Sequence, residues 1–131
     1  MRTLIVEDEF TNRLLLQTFL SNCGDCHLAV NGKEAVDAFR TALATGRPYD
    51  LICMDVLMPE MDGHQAVKQI RAIEKARGTH SATAVKIIMA TALNDKENVI
   101  RSANEECNAY ILKPIDTSKL MYYIKCFGLW P

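Results

Sequence analysis

Residues 51–63 read LICMDVLMPEMDG. An apolar run leads straight into a carboxylate, Asp55, and the chain then turns through Met58-Pro59 and, after two more acids, Gly63. A short unbroken apolar stretch bounded by turn residues reads as a strand covered on both faces. Such strands belong to parallel sheets with helices on either side. Asp55 is then either an ordinary strand-end residue or a nucleophile placed at the edge of the sheet. The remainder of the chain decides between these.

Four more segments read as strands. Thr3–Val6 precedes Glu7-Asp8-Glu9, His27–Val30 precedes Asn31, Val85–Ala90 ends at Thr91, and Ala109–Leu112 ends at Lys113-Pro114. Helical spacing falls between them. Residues 11–22 carry Leu15, Leu16, Phe19 and Leu20, with Thr11 expected as the cap. Asn31 caps a second helix with Glu34 at the capping-box position, a stripe of Ala35, Phe39 and Leu43, and Gly46 and Pro48 closing it. Residues 64–77 turn Ala66, Val67, Ile70 and Ile73 inward. A fourth helix starts near Asn94–Glu97 with Val99, Ile100 and Ala103. A fifth, capped by Asp116 or Thr117, presents Leu120, Ile124 and Phe127. Five strands alternating with five helices predict one doubly wound parallel sheet in a three-layer α/β/α arrangement, over residues 1–131 as a single domain.

Composition narrows the function. The 131 residues are 49% hydrophobic and 24% charged with a net charge of -1, an ordinary globular balance without the basic footprint of a nucleic-acid binder. No apolar stretch approaches the roughly 20 residues of a membrane span, and MRTLIVEDEF is no signal peptide. The expected location is cytoplasmic. Five cysteines at irregular spacing predict reduced thiols; Cys23-Gly-Asp-Cys26 lacks the second ligand pair of a zinc site and does not open a helix as a redox CxxC does.

In a parallel sheet all C-terminal strand ends share one edge, where ligands bind. Glu7, Asp8, Asp55, Thr91 and Lys113 should therefore meet there. Three carboxylates together repel, so one takes a proton or a cation joins them. Hard oxygen ligands with open positions suit Mg²⁺ shared with a phosphate. A lysine and a threonine hydroxyl beside them can stabilise a phosphoryl group attacked by Asp55.

With LIVEDE at 4–9, MDVLMPEMDG at 54–63, MATA at 89–92 and AYILKPI at 109–115, the chain resembles the receiver domain of two-component response regulators, the family of the chemotaxis response regulator. The resemblance implies a flavodoxin-like sheet of order 2-1-3-4-5. It implies Asp55 as phosphoacceptor and Mg²⁺ (or Mn²⁺) held by Asp8, Asp55, Glu7 through water and the Leu57 backbone carbonyl. Lys113, Thr91, the Ala92 backbone and Tyr110 would bind phosphate or switch. Pro59, Gly63 and a cis Lys113-Pro114 bond would shape the loops. The implied donor is a sensor histidine kinase or a histidine phosphotransfer protein, and the output an unidentified downstream protein or output domain, with no direct nucleic-acid or membrane binding. Such a domain is a signalling switch that catalyses only its own phosphorylation and dephosphorylation. Met1, just before the first strand, suggests a receiver at an N-terminus.

The chain departs from common family usage at Glu7, where aspartate is frequent, and at Leu57 and Leu93, flanking positions that are often polar. Two leucines there offer nothing to orient an attacking water, which implies slow self-dephosphorylation. Two rivals fit less well. A haloacid-dehalogenase-type phosphatase needs an acid where Leu57 stands. A flavodoxin-like electron carrier needs a hydroxyl-rich loop where Glu7-Asp8-Glu9 would repel the FMN phosphate. Tyr122, Tyr123, Phe127 and Trp130 are read as partly buried core, with a partner face as the lesser alternative.

Overall fold

The computed structural model describes residues 1–56, 58, 61–80, 82–92 and 107–130. Within them the chain runs β1 (Arg2–Val6), α1 (Phe10–Leu20), β2 (Asp25–Ala29), α2 (Gly32–Ala44), β3 (Leu51–Asp55), α3 (Gly63–Ala76), β4 (Lys86–Ala92), β5 (Ala109–Lys113) and α4 (Thr117–Cys126). The strands form one sheet in the order β2-β1-β3-β4-β5, every pairing parallel. The helix expected at Asn94–Ala103, together with Leu57, Pro59 and Leu93, lies outside the described residues.

Alternation along the apolar strands divides them between two cores. Leu4, Val6, Ile52, Met54, Ile87 and Met89 pack against Phe39 of α2 and Val67 and Ile70 of α3. Ile5, Cys53, Ile88, Ala90 and Ile111 point the other way, against Leu16 and Leu20 of α1 and Leu120 and Ile124 of α4. Each large apolar side chain removed from water at these positions contributes about 1.5–3 kcal/mol. That is why β1, β3 and β4 read as unbroken apolar runs: neither face is left to solvent. Among the described residues no helix is long and apolar enough to cross a membrane.

Three expectations are corrected. α1 is capped by Glu9, not Thr11; the Glu9 carboxylate accepts from the backbone N–H groups of Thr11 (3.0 Å) and Asn12 (2.7 Å). A glutamate reaches these orphan donors because its extra methylene spans the first turn. β2 starts at Asp25, two residues before its apolar run, because as an edge strand it keeps Asp25 and His27 in solvent while its backbone still pairs with Arg2 and Leu4. At α2, Asn31 caps as expected, but the Glu34 carboxylate accepts from Val30 N–H (3.1 Å) instead of Asn31. The full capping box occurs at α3, between Asp62 and Gln65. Of the C-terminal aromatics, Tyr123, Phe127 and Trp130 pack on the second core, whereas Tyr122 is exposed.

Candidate functional site

The C-terminal ends of β1, β3, β4 and β5 bring together the residues that the sequence scatters. Glu7 directly follows β1, and its N–H still pairs with Ala29 O at 3.0 Å. Asp55 is the last residue of β3. It sits opposite Ala90 of β4, whose small side chain leaves room above the sheet. Lys113, the last residue of β5, reaches across β4 to place its ammonium 2.9 Å from Asp55 Oδ1 and 3.3 Å from Glu7 Oε1. The Lys113–Pro114 peptide is cis.

Burial is uneven across the acids. Glu7 and Asp55 are only 1% and 6% exposed, while Asp8 is open to solvent. A narrow apolar crevice lined by Leu16, Ile88, Ile111 and Ile115 lies beneath the first two. One oxygen from each of Glu7, Asp8 and Asp55 can lie within 4.8 Å of the others. Desolvation, then a hydrogen bond and charge repulsion from Glu7, push the Asp55 carboxyl up to about 6, with Lys113 opposing the shift. Burial works against the Lys113 ammonium, but the hydrogen bond and charge of Asp55, with Glu7 in support, hold its pKa above the ordinary lysine value.

The acidic turn has its own scaffold. Arg13 Nη1 donates to the carbonyls of Glu7 (3.0 Å) and Asp8 (3.4 Å), and Glu9 caps α1. Sequence reasoning missed both roles; the only signal was the proximity of Arg13 to the acids, one helical turn on. On the far side, Gly63 N–H bonds to Val56 O at 2.8 Å, and a Cβ at Gly63 would stand 2.5 Å from Asp55 O. Only glycine lets α3 start that close to the end of β3.

Thr91 is 2% exposed, and its hydroxyl makes no hydrogen bond to any described residue. A buried hydroxyl without a partner costs free energy that a ligand oxygen would recover. Ala92 ends β4 opposite Lys113. Tyr110 is 38% exposed, opposite Met89 in the β4–β5 register. Leu57 and Pro59 lie outside the described residues. Cys23, Cys26, Cys53 and Cys126 are free thiols, and burial takes Cys53 up to about 12, far from a reactive thiolate.

The family model for the response regulator receiver domain matches residues 3–125. This chain belongs to the response regulator receiver family. Among its relatives, the sensor histidine kinase GacS of Pseudomonas protegens is 37% identical over 120 residues, covering 91% of this chain and 12% of that protein. Hybrid signal transduction histidine kinase G of Dictyostelium discoideum is 35% identical over 131 residues, covering 98% of this chain and 4% of that protein. This receiver thus spans only a small part of these relatives, which carry it within histidine kinases.

Solved receivers superpose over nearly the whole chain. A co-crystal structure of the Saccharomyces cerevisiae phosphotransfer protein Ypd1 with the receiver domain of the response regulator Ssk1 matches with a TM-score of 0.82 at 32% identity, covering 98% of this chain and 91% of that one. The receiver domain of the Pseudomonas aeruginosa sensor histidine kinase PA1611, with a magnesium ion coordinated in its active-site cleft, matches with a TM-score of 0.77 at 28% identity, covering 96% and 95%.

Proposed function

We propose that residues 1–131 act as one receiver unit that accepts a phosphoryl group on Asp55 from a phosphohistidine donor and passes the change to a partner-binding surface. The observation that carries this reading is the buried Asp55 carboxylate, 2.9 Å from Lys113 and clustered with Glu7 and Asp8. The donor set fits a hard divalent cation: three carboxylates, one of which, Asp55, is pushed up to about 6 by burial and then by Glu7. Asp8, Asp55 and, through water, Glu7 would hold Mg²⁺ (or Mn²⁺), with the Leu57 backbone carbonyl that the family resemblance implies, and the ion would supply positive charge against the phosphoryl oxygens.

The protein's own groups do the rest. An ionised Asp55 oxygen attacks phosphorus, the P–N bond to the donor imidazole breaks, and the imidazole leaves with the bonding pair. The product is an aspartyl phosphate. Lys113, already ion-paired with Asp55, transfers its hydrogen bond to a phosphoryl oxygen without a large movement. The Thr91 hydroxyl and the Ala92 N–H supply further donors. Thr91 gives up a site where its hydroxyl bonds to no described residue, so its movement toward phosphate breaks no hydrogen bond among them. Tyr110 then exchanges its exposed position for an inward one, biasing the surface around β5 between two states.

The Ypd1 complex supports a phosphotransfer protein as one class of donor, and the kinase relatives support a sensor histidine kinase as another. The reading is tested by intact-mass spectrometry after incubation with a small phosphodonor, with and without Mg²⁺. A single Mg²⁺-dependent phosphoryl adduct, absent from Asp55→Asn, is the expected result. An adduct that persists in Asp55→Asn would remove Asp55 as acceptor.

A further inference from the structure

Resting on this reading of the site, we propose that Gly32, at the start of α2, is a positioning residue for the loop that follows Asp55. Its N–H donates to Met61 O at 3.1 Å. That N–H is one of the orphan donors of a helix's first turn, spent here on another loop. The Asn31 side chain meanwhile satisfies Glu34 N–H at 2.8 Å. A Cβ at Gly32 would stand 2.5 Å from Met61 O, 3.0 Å from Met61 Cγ and 3.1 Å from Met61 C. The closest of these atoms is backbone, so a rotamer change cannot relieve it.

The segment entering α3, residues 61–63, is thereby held at two glycines. Gly63 admits it against the end of β3, with Asp55 O at 2.5 Å from the would-be Cβ, and Gly32 admits it against α2. The turn before Gly32 also touches the first acid, because Ala29 O accepts from Glu7 N–H at 3.0 Å. The stretch from β2 into α2 therefore sets the spacing between the Glu7-Asp8 turn and the segment after Asp55, although it holds no ligand itself. α2 cannot easily yield, since Ala35, Val36 and Phe39 are buried in the core. With a side chain at Gly32, Met61 must retreat by about 0.9 Å to reach the 3.4 Å of ordinary contact. Displacements of ~1 Å at reacting groups cost on the order of 10²-fold in rate. For a loop one step removed, we expect about tenfold.

The experiment compares wild type, Gly32→Ala and Ala35→Gly, the last a buried change in the same helix that leaves the Gly32–Met61 contact alone. Mg²⁺ affinity is read by calorimetry. Adduct formation from a small phosphodonor is read by intact mass across a Mg²⁺ series, and thermal melting in EDTA measures stability. Gly32→Ala should raise the Mg²⁺ dissociation constant about tenfold and slow adduct formation at low Mg²⁺, with the rate recovering as Mg²⁺ saturates. Ala35→Gly should melt lower yet keep wild-type Mg²⁺ affinity. If Gly32→Ala does not fold, Met61→Gly, which leaves the backbone bond to Gly32 in place but gives the accepting carbonyl's residue more conformational freedom, should weaken Mg²⁺ binding in the same sense. Wild-type Mg²⁺ affinity in Gly32→Ala, or an equal loss in Ala35→Gly, overturns the inference. Wild-type protein that binds Mg²⁺ but takes no adduct overturns the phosphoacceptor reading alone; one that binds no Mg²⁺ overturns both.

Discussion

Replacing Asp55 by asparagine should stabilise the metal-free protein, and the gain should depend on pH. Asp55 goes from 3.8 to about 6 on folding, mainly through desolvation and secondarily through Glu7. Between those values the folded protein keeps a proton that the unfolded chain has released. The stability of the neutral carboxyl is complete below 3.8 and is lost as pH rises through 6. A shift of about two pH units at 1.36 kcal/mol each makes ionised Asp55 cost about 3 kcal/mol at pH 8, and about half that at pH 5. Lys113 already tempers this figure, because its charge is among the causes of the shift. The asparagine side chain has nearly the shape of the neutral acid and never ionises. In EDTA at pH 8, Asp55→Asn should therefore melt up to about 10 °C higher than wild type, at roughly 3–4 °C per kcal/mol for a chain this size. The difference should shrink by about half at pH 5. Saturating Mg²⁺ should close or reverse the gap, since wild type gains binding energy that the variant, one ligand short, does not. Thermal melts at both pH values, with EDTA and with Mg²⁺, decide the matter. An asparagine variant no more stable than wild type at pH 8, or a gap identical at both pH values, would refute the argument that burial strains this carboxylate.

Three other expectations concern different parts of the molecule. Thr91→Val should leave stability in EDTA within about 1 kcal/mol of wild type or raise it, because the buried hydroxyl bonds to no described residue; the same variant should lose the phosphorylation-dependent change in Tyr110 exposure, followed by NMR. Glu74→Ala should cost about 2–3 kcal/mol in urea melts, since it removes the acceptor of the buried Val85 N–H and the carboxylate 2.6 Å from Arg71, whose guanidinium still donates to Val85 O and Asn108 Oδ1. Phosphorylated protein should lose its adduct slowly, and polar replacements at Leu57 and Leu93 should shorten its lifetime about tenfold or more by orienting water; equal lifetimes by timed intact mass would remove that role for the two leucines.

What the sequence determined by itself was the alternation of buried strands and amphipathic helices, and with it which side chains end strands at one edge of the sheet. Apolar runs such as Leu51–Met54 can only be covered on both faces, so the sheet is parallel and its strand ends share an edge. Glu7, Asp8, Asp55, Thr91 and Lys113 were legible because each directly follows such a run or closes it. Local signals failed where a side chain answers to backbone outside its own segment. Thr11 is the standard capping type, yet Glu9 caps α1 because its longer side chain reaches two N–H groups. β2 begins before its apolar run because pairing with β1, not burial, sets where an edge strand starts. Tertiary structure alone decided the electrostatics: that Glu7 is buried while its neighbour Asp8 is not, that Lys113 crosses β4 to reach Asp55, and that Asp55 keeps its proton to about 6. It also decided the role of Gly32, whose importance is a missing Cβ next to the carbonyl of Met61, far along the chain. Charge and burial depend on distance through space, and one-dimensional spacing carries hydrophobic period and turn chemistry but not that distance.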